Sequence, residues 1–297
     1  MAFSDRVVTL IANPANPCLT SDLADQCRMA LGASGVYFLA DGIACDIPLP
    51  DTTIEPDKTL SALLANKPVD FVVQHANERR KKALLADMDS TLIQQECIDE
   101  LAAEAGIGEQ VAKITAKAMH GELEFDGALR ERVLLLKGQA ESIIQKTFDT
   151  RISLMPGAQE LLATMKANGA YCALVSGGFT QFTSKIAAIL GFDEHRANSF
   201  EIKNAVLTGN VIPPILGQEA KVDALNDVAE KNNLEPNDIM AVGDGANDLG
   251  MLKLAGSGVA LHAKPIVAEQ AKFRIDHGDL TALLYIQGYR KADFVTP

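Results

Sequence analysis

Four short, nearly continuous apolar runs constrain this chain more than any other feature: Ala83-Leu-Leu-Ala86, Tyr171-Cys-Ala-Leu-Val175, Ile239-Met-Ala-Val242 and Gly258-Val-Ala-Leu261. A strand with one wet face alternates apolar and polar residues, whereas runs like these suit strands buried on both faces, as in a parallel sheet covered by helices. Helical patterns lie between them. Leu161, Leu162 and Met165 fall on one helix stopped by Gly169; Phe182, Ile186 and Ile189 fall on another stopped by Gly191; Val222, Leu225 and Val228 mark a third. Strands and helices alternating in this order predict a doubly wound, Rossmann-like α/β parallel sheet.

Residues 87–170 separate the first two runs, far too long a stretch for one crossover helix. An inserted helical cap over about residues 94–155 is the economical reading. Inside it Ile98/Leu101/Ala102/Ala105, Val111/Ile114/Thr115/Ala118 and Leu129/Val133/Leu136 each keep the helical period. Ahead of the first run the pattern changes. Strand-like segments near 7–12, 36–39, 43–47 and 69–73 and helical ones near 21–31 and 59–66 give the order β-α-β-β-α-β. That order predicts a small α+β domain of ferredoxin-like, or ACT-like, arrangement. The polar, basic His75-Ala-Asn-Glu-Arg-Arg-Lys-Lys82 offers nothing to a core and reads as a boundary. The expected division is residues 1–78 and 79–297.

Composition removes several classes of function. Acidic residues outnumber basic ones 39 to 27, for a net charge of -12, and so negative a surface repels nucleic acid and anionic lipid. No apolar stretch approaches the roughly 20 residues that a membrane-spanning helix needs. Met1-Ala-Phe-Ser-Asp-Arg lacks the pattern of an export signal, so the expected compartment is the cytoplasm. The cysteines, Cys18, Cys27, Cys45, Cys97 and Cys172, are scattered and form no C-x-x-C pair, which points to reduced thiols and to neither a disulfide framework nor a zinc knuckle.

In a doubly wound sheet ligands bind beyond the carboxyl ends of the strands, which directs attention to the residues just past each run. The first ends in Asp87-Met-Asp-Ser-Thr91, the second in Ser176-Gly-Gly178 and the third in Gly243-Asp-Gly-Ala-Asn-Asp248, while Lys221 opens the helix ahead of the third. Two carboxylates two residues apart at a strand end can converge on one pocket in different environments, one attacking and the other carrying a proton. An isolated Asp-x-Asp more often only closes a strand with an Asx turn. Ser176 with its glycines, at the mouth of a helix, offers a hydroxyl and free N–H groups to a phosphate, and equally well serves as an N-cap. Asp244 and Asp248, set around glycines, suit a hard cation, or a capped turn. Lys221 alone reads as a surface lysine. Together, four such coincidences in one sheet assemble a site for metal-assisted phosphoryl transfer.

The order Asp87-Met-Asp-Ser-Thr91, Val175-Ser-Gly-Gly178, Lys221, Gly243-Asp-Gly-Ala-Asn-Asp-Leu249 resembles the haloacid-dehalogenase (HAD) superfamily and, within it, the phosphoserine phosphatases, over residues 83–290. The resemblance implies a Mg²⁺-dependent phosphatase that hydrolyses O-phospho-L-serine through an aspartyl-phosphate, the last step of L-serine biosynthesis. Asp87 would be the nucleophile and Asp89 the general acid and base. Mg²⁺ would be held by the Asp87 carboxylate, the Asp89 carbonyl and Asp244, with Asp248 in support. Ser176, Gly177, Lys221 and Asn247 would hold the phosphoryl oxygens. Arg132, beside Leu129, Val133 and Leu136 on its helix, reads from position alone as a snorkelling surface residue or an inward cation. The resemblance makes it the partner of the substrate carboxylate, with Glu96 for the ammonium and Phe125 and Met119 closing the lid. His120 and His262 receive no role. The N-terminal domain is expected to bind serine or to pair two copies as a homodimer. Competing readings keep the chemistry on another small phosphate, such as a sugar phosphate or phosphohomoserine, or replace it with a passive switch, for which the second carboxylate Asp89 would have no use.

Overall fold

The computed structural model describes residues 3–50, 55–119 and 123–296. The chain opens with β1 (Phe3–Ala12), α1 (Ser21–Ala30), β2 (Tyr37–Ala40), β3 (Ala44–Pro50), α2 (Pro56–Leu64) and β4 (Val69–His75). The strands form an antiparallel sheet in the order β2-β3-β1-β4, the ferredoxin-like arrangement that the pattern predicts. Alternation along β1 divides its side chains between two faces. Val8, Leu10 and Ala12 pack with Leu23, Cys27 and Leu31 of the α1 segment and with Leu60 and Leu64 of α2. The N-terminus of α1 is closed by Thr20, whose side chain accepts the Leu23 N–H.

β5 (Ala83–Ala86) begins the second sheet. Four helices follow it, α3 (Cys97–Glu104), α4 (Gly108–Met119), α5 (Phe125–Leu134) and α6 (Ser142–Arg151), before α7 (Ala158–Ala167) and β6 (Tyr171–Phe179) return to the sheet. The rest runs α8 (Thr180–Leu190), β7 (Glu194–Lys203), β8 (Val206–Ile212), α9 (Gln218–Asn232), β9 (Ile239–Gly243), α10 (Leu249–Leu254), β10 (Ser257–Leu261), α11 (Pro265–Ala268), β11 (Phe273–Ile275) and α12 (Ala282–Ile286). The strand order is β11-β10-β9-β5-β6-β7-β8, parallel except for the β7–β8 hairpin at one edge. All four apolar runs are strands here, covered on both sides. Leu84, Ala86, Leu174 and Val242 face a core shared with α7, α8 and α12, while Leu85, Ala173, Val175 and Ala241 face α9 and α10.

Three expectations need correction. Ile189 is 52% exposed, because Leu190 closes the buried stripe of α8 four residues after Ile186. Helix α6 and the hairpin β7–β8 have no counterpart in the pattern. The segment after β4, expected to offer nothing to a core, does take part in packing. Lys81 is buried and donates from Nζ to the carbonyls of Glu78 and Asn237, both at 2.7 Å. Arg79 pairs with the buried Asp46 at 2.7 Å, and the Arg80 guanidinium lies 3.3 Å above the centre of the Tyr289 ring. Asp70 of β4 accepts the N–H groups of Asp276, His277 and Gly278. With Ile11 and Val72 also buried in the core that holds α12, each worth about 1.5–3 kcal/mol relative to exposure, the antiparallel sheet is docked on the larger one.

Candidate active site

β9, β5 and β6 are neighbours and parallel, so the residues at their carboxyl ends meet at one edge of the sheet. Asp87 continues from β5 through its N–H to the Val242 carbonyl at 3.0 Å. Its Oδ1 lies 2.8 Å from the Lys221 Nζ, which comes from the first turn of α9 and also reaches Asp248 Oδ1 at 2.5 Å. Lys221 and Asp248 are both buried; the second Asp248 oxygen accepts the Gly245 N–H at 3.0 Å. Lys221 thus stands behind the nucleophile candidate, braced by two carboxylates, and is no surface lysine.

Asp89 meets different partners. Its Oδ1 accepts the Cys97 N–H at the start of α3 (2.8 Å), and its Oδ2 accepts the Ser176 hydroxyl (3.2 Å). Ser176 Oγ in turn accepts the Gly178 N–H at 2.9 Å. A Cβ at position 178 would lie 2.7 Å from Asp89 Oδ2, so only glycine lets the carboxylate approach this backbone. Gly177 is fixed from below by Asn198, which donates to its carbonyl at 2.8 Å and accepts the Leu216 N–H at 2.7 Å.

Opposite these residues stands the cap, and between the two walls lies a cleft of about 640 Å³. Asp87, Asp89, Ser176, Gly177, Asp244 and Asn247 line it from the sheet; Glu96, Asp99, Thr115, Phe125, Leu129 and Arg132 line it from the cap. The Phe125 ring lies over Gly177, 3.2 Å from where a Cβ would stand. Glu96 accepts the Ser90 hydroxyl at 2.8 Å. Arg132 donates from Nε to the Ala128 carbonyl at 3.2 Å, and its terminal nitrogens have no partner among the described residues. Every substrate-binding and catalytic candidate therefore borders one cleft except Lys221, one layer behind it; Asp248 sits in that same layer. The Met119 side chain and His120 lie outside the described residues. His262 is structural, its Nε2 2.7 Å from the Gly278 carbonyl.

The electrostatics of the floor are lopsided. Burial, and then the Asp248 carboxylate, push Asp87 well above the usual range, against the pull of Lys221. Burial and Glu96 raise Asp89 to about 6, and burial and Asp248 raise Asp244 to about 6. For Lys221 burial works downward, but Asp87 and Asp248 outweigh it and hold the ammonium charged. Asp87, Asp244 and Asp248 each bring a carboxylate oxygen within 4.8 Å of the other two. Hard oxygen donors with this surplus of negative charge fit a divalent cation.

Sequence reasoning missed Asn198, Asp99 and the environment of Thr115. Asn198 is one polar residue among many in a largely polar strand, and no local signal announces that it is buried under Gly177.

Comparison with known proteins agrees with this geometry. The family model for haloacid dehalogenase-like hydrolases matches residues 84–253, a span that contains Asp87, Ser176, Lys221 and Asp248. The phosphoserine phosphatase of Streptococcus thermophilus is 45% identical over 206 residues, 69% of this chain and 95% of that protein. A HAD family hydrolase from Salmonella enterica serovar Typhi has a structure similar over 95% of this chain and 98% of its own, with a TM-score of 0.85 at 30% identity. A phospho-aspartyl intermediate analogue of phosphoserine phosphatase is similar over 69% of this chain and 98% of its own, with a TM-score of 0.65 at 43% identity. With the match running from β5 to α10, through every strand end that supplies the cleft floor, the chain belongs to the haloacid dehalogenase-like hydrolase family.

Proposed function

We propose that the chain hydrolyses O-phospho-L-serine to L-serine and phosphate through an aspartyl-phosphate on Asp87, the final step of L-serine biosynthesis. The observation that carries the reading is the pair Asp87 and Asp89, adjacent on one loop and held by opposite kinds of partner, a buried ammonium for the first and hydrogen-bond donors for the second. A similar phosphatase has been seen as a phospho-aspartyl intermediate analogue, which supports the assignment of the acceptor.

An Asp87 oxygen attacks phosphorus while Lys221 fixes the carboxylate from behind. The bond from phosphorus to the serine oxygen breaks, and Asp89 gives that oxygen its proton, so serine leaves neutral at its hydroxyl. Asp89, now a carboxylate, takes a proton from water. The water oxygen attacks phosphorus, the bond to Asp87 breaks, and both aspartates return to their starting state. Ser176, the Gly177 N–H and Asn247 hold the phosphoryl oxygens. Asp87, Asp244 and the Asp89 carbonyl, with Asp248 in support, would hold Mg²⁺, which when bound would supply the positive charge that offsets repulsion between carboxylate and phosphate dianion. Arg132, with its terminal nitrogens free, takes the substrate carboxylate as a fork, Glu96 takes the ammonium, and Phe125 keeps water from the phosphoryl group.

The domain boundaries in this reading are residues 1–78 and 79–297, with the cap over about 94–155. We place the enzyme in the cytoplasm; its five cysteines are free thiols, as a reducing compartment favours. No helix among the described residues is long and apolar enough to cross a membrane. Phosphate release from O-phospho-L-serine tests the function. Release with Mg²⁺ present, loss with a chelator and recovery on adding Mg²⁺ back are expected. Hydrolysis of p-nitrophenyl phosphate without hydrolysis of phosphoserine would overturn the substrate.

A further inference from the structure

Thr115 sits in the middle of α4, where a threonine hydroxyl ordinarily bonds back to the carbonyl four residues earlier. Other helical threonines of this chain do so: Thr59 to Glu55 (3.1 Å), Thr147 to Ile143 (2.8 Å) and Thr150 to Lys146 (2.7 Å). Thr115 does not. Its Oγ1 is shut off from bulk water and has no hydrogen-bond partner, one of two such side-chain atoms among the described residues. Thr115 also lines the cleft, on the cap wall that carries Arg132. A buried polar atom left unpaired is costly, and where its residue borders a binding cleft a ligand atom can supply the missing partner.

The chemistry of the wall narrows which atom. Glu96, Asp99 and Asp89 give a bound amino acid several acceptors for its ammonium, whereas Arg132 is the sole charged donor that the cap brings to the cleft among the described residues. A carboxylate has more lone pairs than one guanidinium fork can satisfy, and in a closed cleft those left over need another donor. Resting on the phosphoserine reading above, we propose that the Thr115 hydroxyl donates a hydrogen bond to the substrate's carboxylate beside Arg132, making Thr115 a substrate-binding residue that selects for a carboxylate-bearing phosphate ester. In the periodicity of α4 Thr115 counts as part of an apolar stripe, yet its side chain carries a buried donor at the cleft wall.

Thr115→Val keeps the shape and removes the donor; Thr115→Ser keeps the donor. Both are compared with the unmodified chain on phosphoserine, on O-phosphoethanolamine, which has the ammonium without the carboxylate, and on p-nitrophenyl phosphate. For Thr115→Val the expected result is a rise in KM for phosphoserine of about tenfold or more, the usual weight of a hydrogen bond to a charged group, with little change in kcat. That loss should exceed the losses on the other two substrates by about the same factor, and Thr115→Ser should recover most of it. Equal losses on all three substrates, or no loss on phosphoserine, would overturn the proposal, as would failure of the serine variant to restore KM. If the unmodified chain fails on phosphoserine while hydrolysing p-nitrophenyl phosphate, the substrate reading itself falls and this inference with it.

Discussion

In the proposed reaction Arg132 divides binding from chemistry. It lies on the cap wall, opposite the strand ends that form the cleft floor, and burial lowers its pKa against the opposing pull of Asp99, Glu96 and Asp89. No described carboxylate forms an ion pair with it, which leaves its terminal nitrogens available to the substrate carboxylate in the proposed reading. Arg132→Ala should therefore cost phosphoserine turnover about a hundredfold or more in kcat/KM, since truncating one member of a buried, hydrogen-bonded charge pair costs about 2–5 kcal/mol. The loss on p-nitrophenyl phosphate should be far smaller, and equal losses would remove Arg132 from substrate recognition. Residues at strand ends are legible in the sequence because the fold gives that location meaning: Asp87, Asp89, Ser176, Asp244 and Asp248 come directly after buried apolar runs. Asn198 and Asp99 are not, because their roles come from neighbours distant in the chain. Lys221 is legible only as one of a set. Nothing adjacent to it in the chain signals that two carboxylates enclose it.

Among the elements, the hairpin β7–β8 has a part that its pattern concealed. β7, Glu194–Lys203, is largely polar, yet it pairs with β6 on one side and β8 on the other. Beyond the sheet the hairpin binds the cap through backbone: Gly138 N–H to Leu207 O (2.9 Å), Leu207 N–H to Gln139 O (2.9 Å) and Glu141 N–H to Ala205 O (2.8 Å). The cap is thus fastened to the sheet where α5 gives way to α6. Gly209 makes the fastening close. It has φ +85°, and a Cβ there would lie 2.9 Å from the Lys137 Cβ. Gly209→Ala should destabilise the fold by about 1–3 kcal/mol, read as a lower urea midpoint with the slope unchanged. An unaltered midpoint would show that the contact is looser than described. Helix α6 escaped prediction for a related reason: only Ile144 and Thr147 of its ten residues are buried, too few to print a stripe on the sequence.

At the scale of the whole molecule, charge and connection are managed together. A chain of net charge -12 places three carboxylates and one buried lysine at the cleft floor, a surplus of negative charge suited to a divalent cation, and in the proposed reaction that cation would offset the charge of the phosphate. The basic segment between the two sheets commits its cations to structure instead, with Arg79 on Asp46, Lys81 on two carbonyls and Arg80 on Tyr289. Both sheets could be read from periodicity, but their docking could not, because it depends on pairs such as Asp70 with residues 276–278, more than two hundred positions apart. All of the chemistry ascribed to this assembly passes through a single acceptor oxygen. Acid quenching during turnover of radiolabelled phosphoserine, followed by borohydride reduction and peptide mapping, identifies that acceptor, since reduction converts an aspartyl-phosphate to homoserine. Reduction confined to Asp87 is the expected result; label or homoserine at Asp89, at another residue, or at none under single-turnover conditions would contradict it.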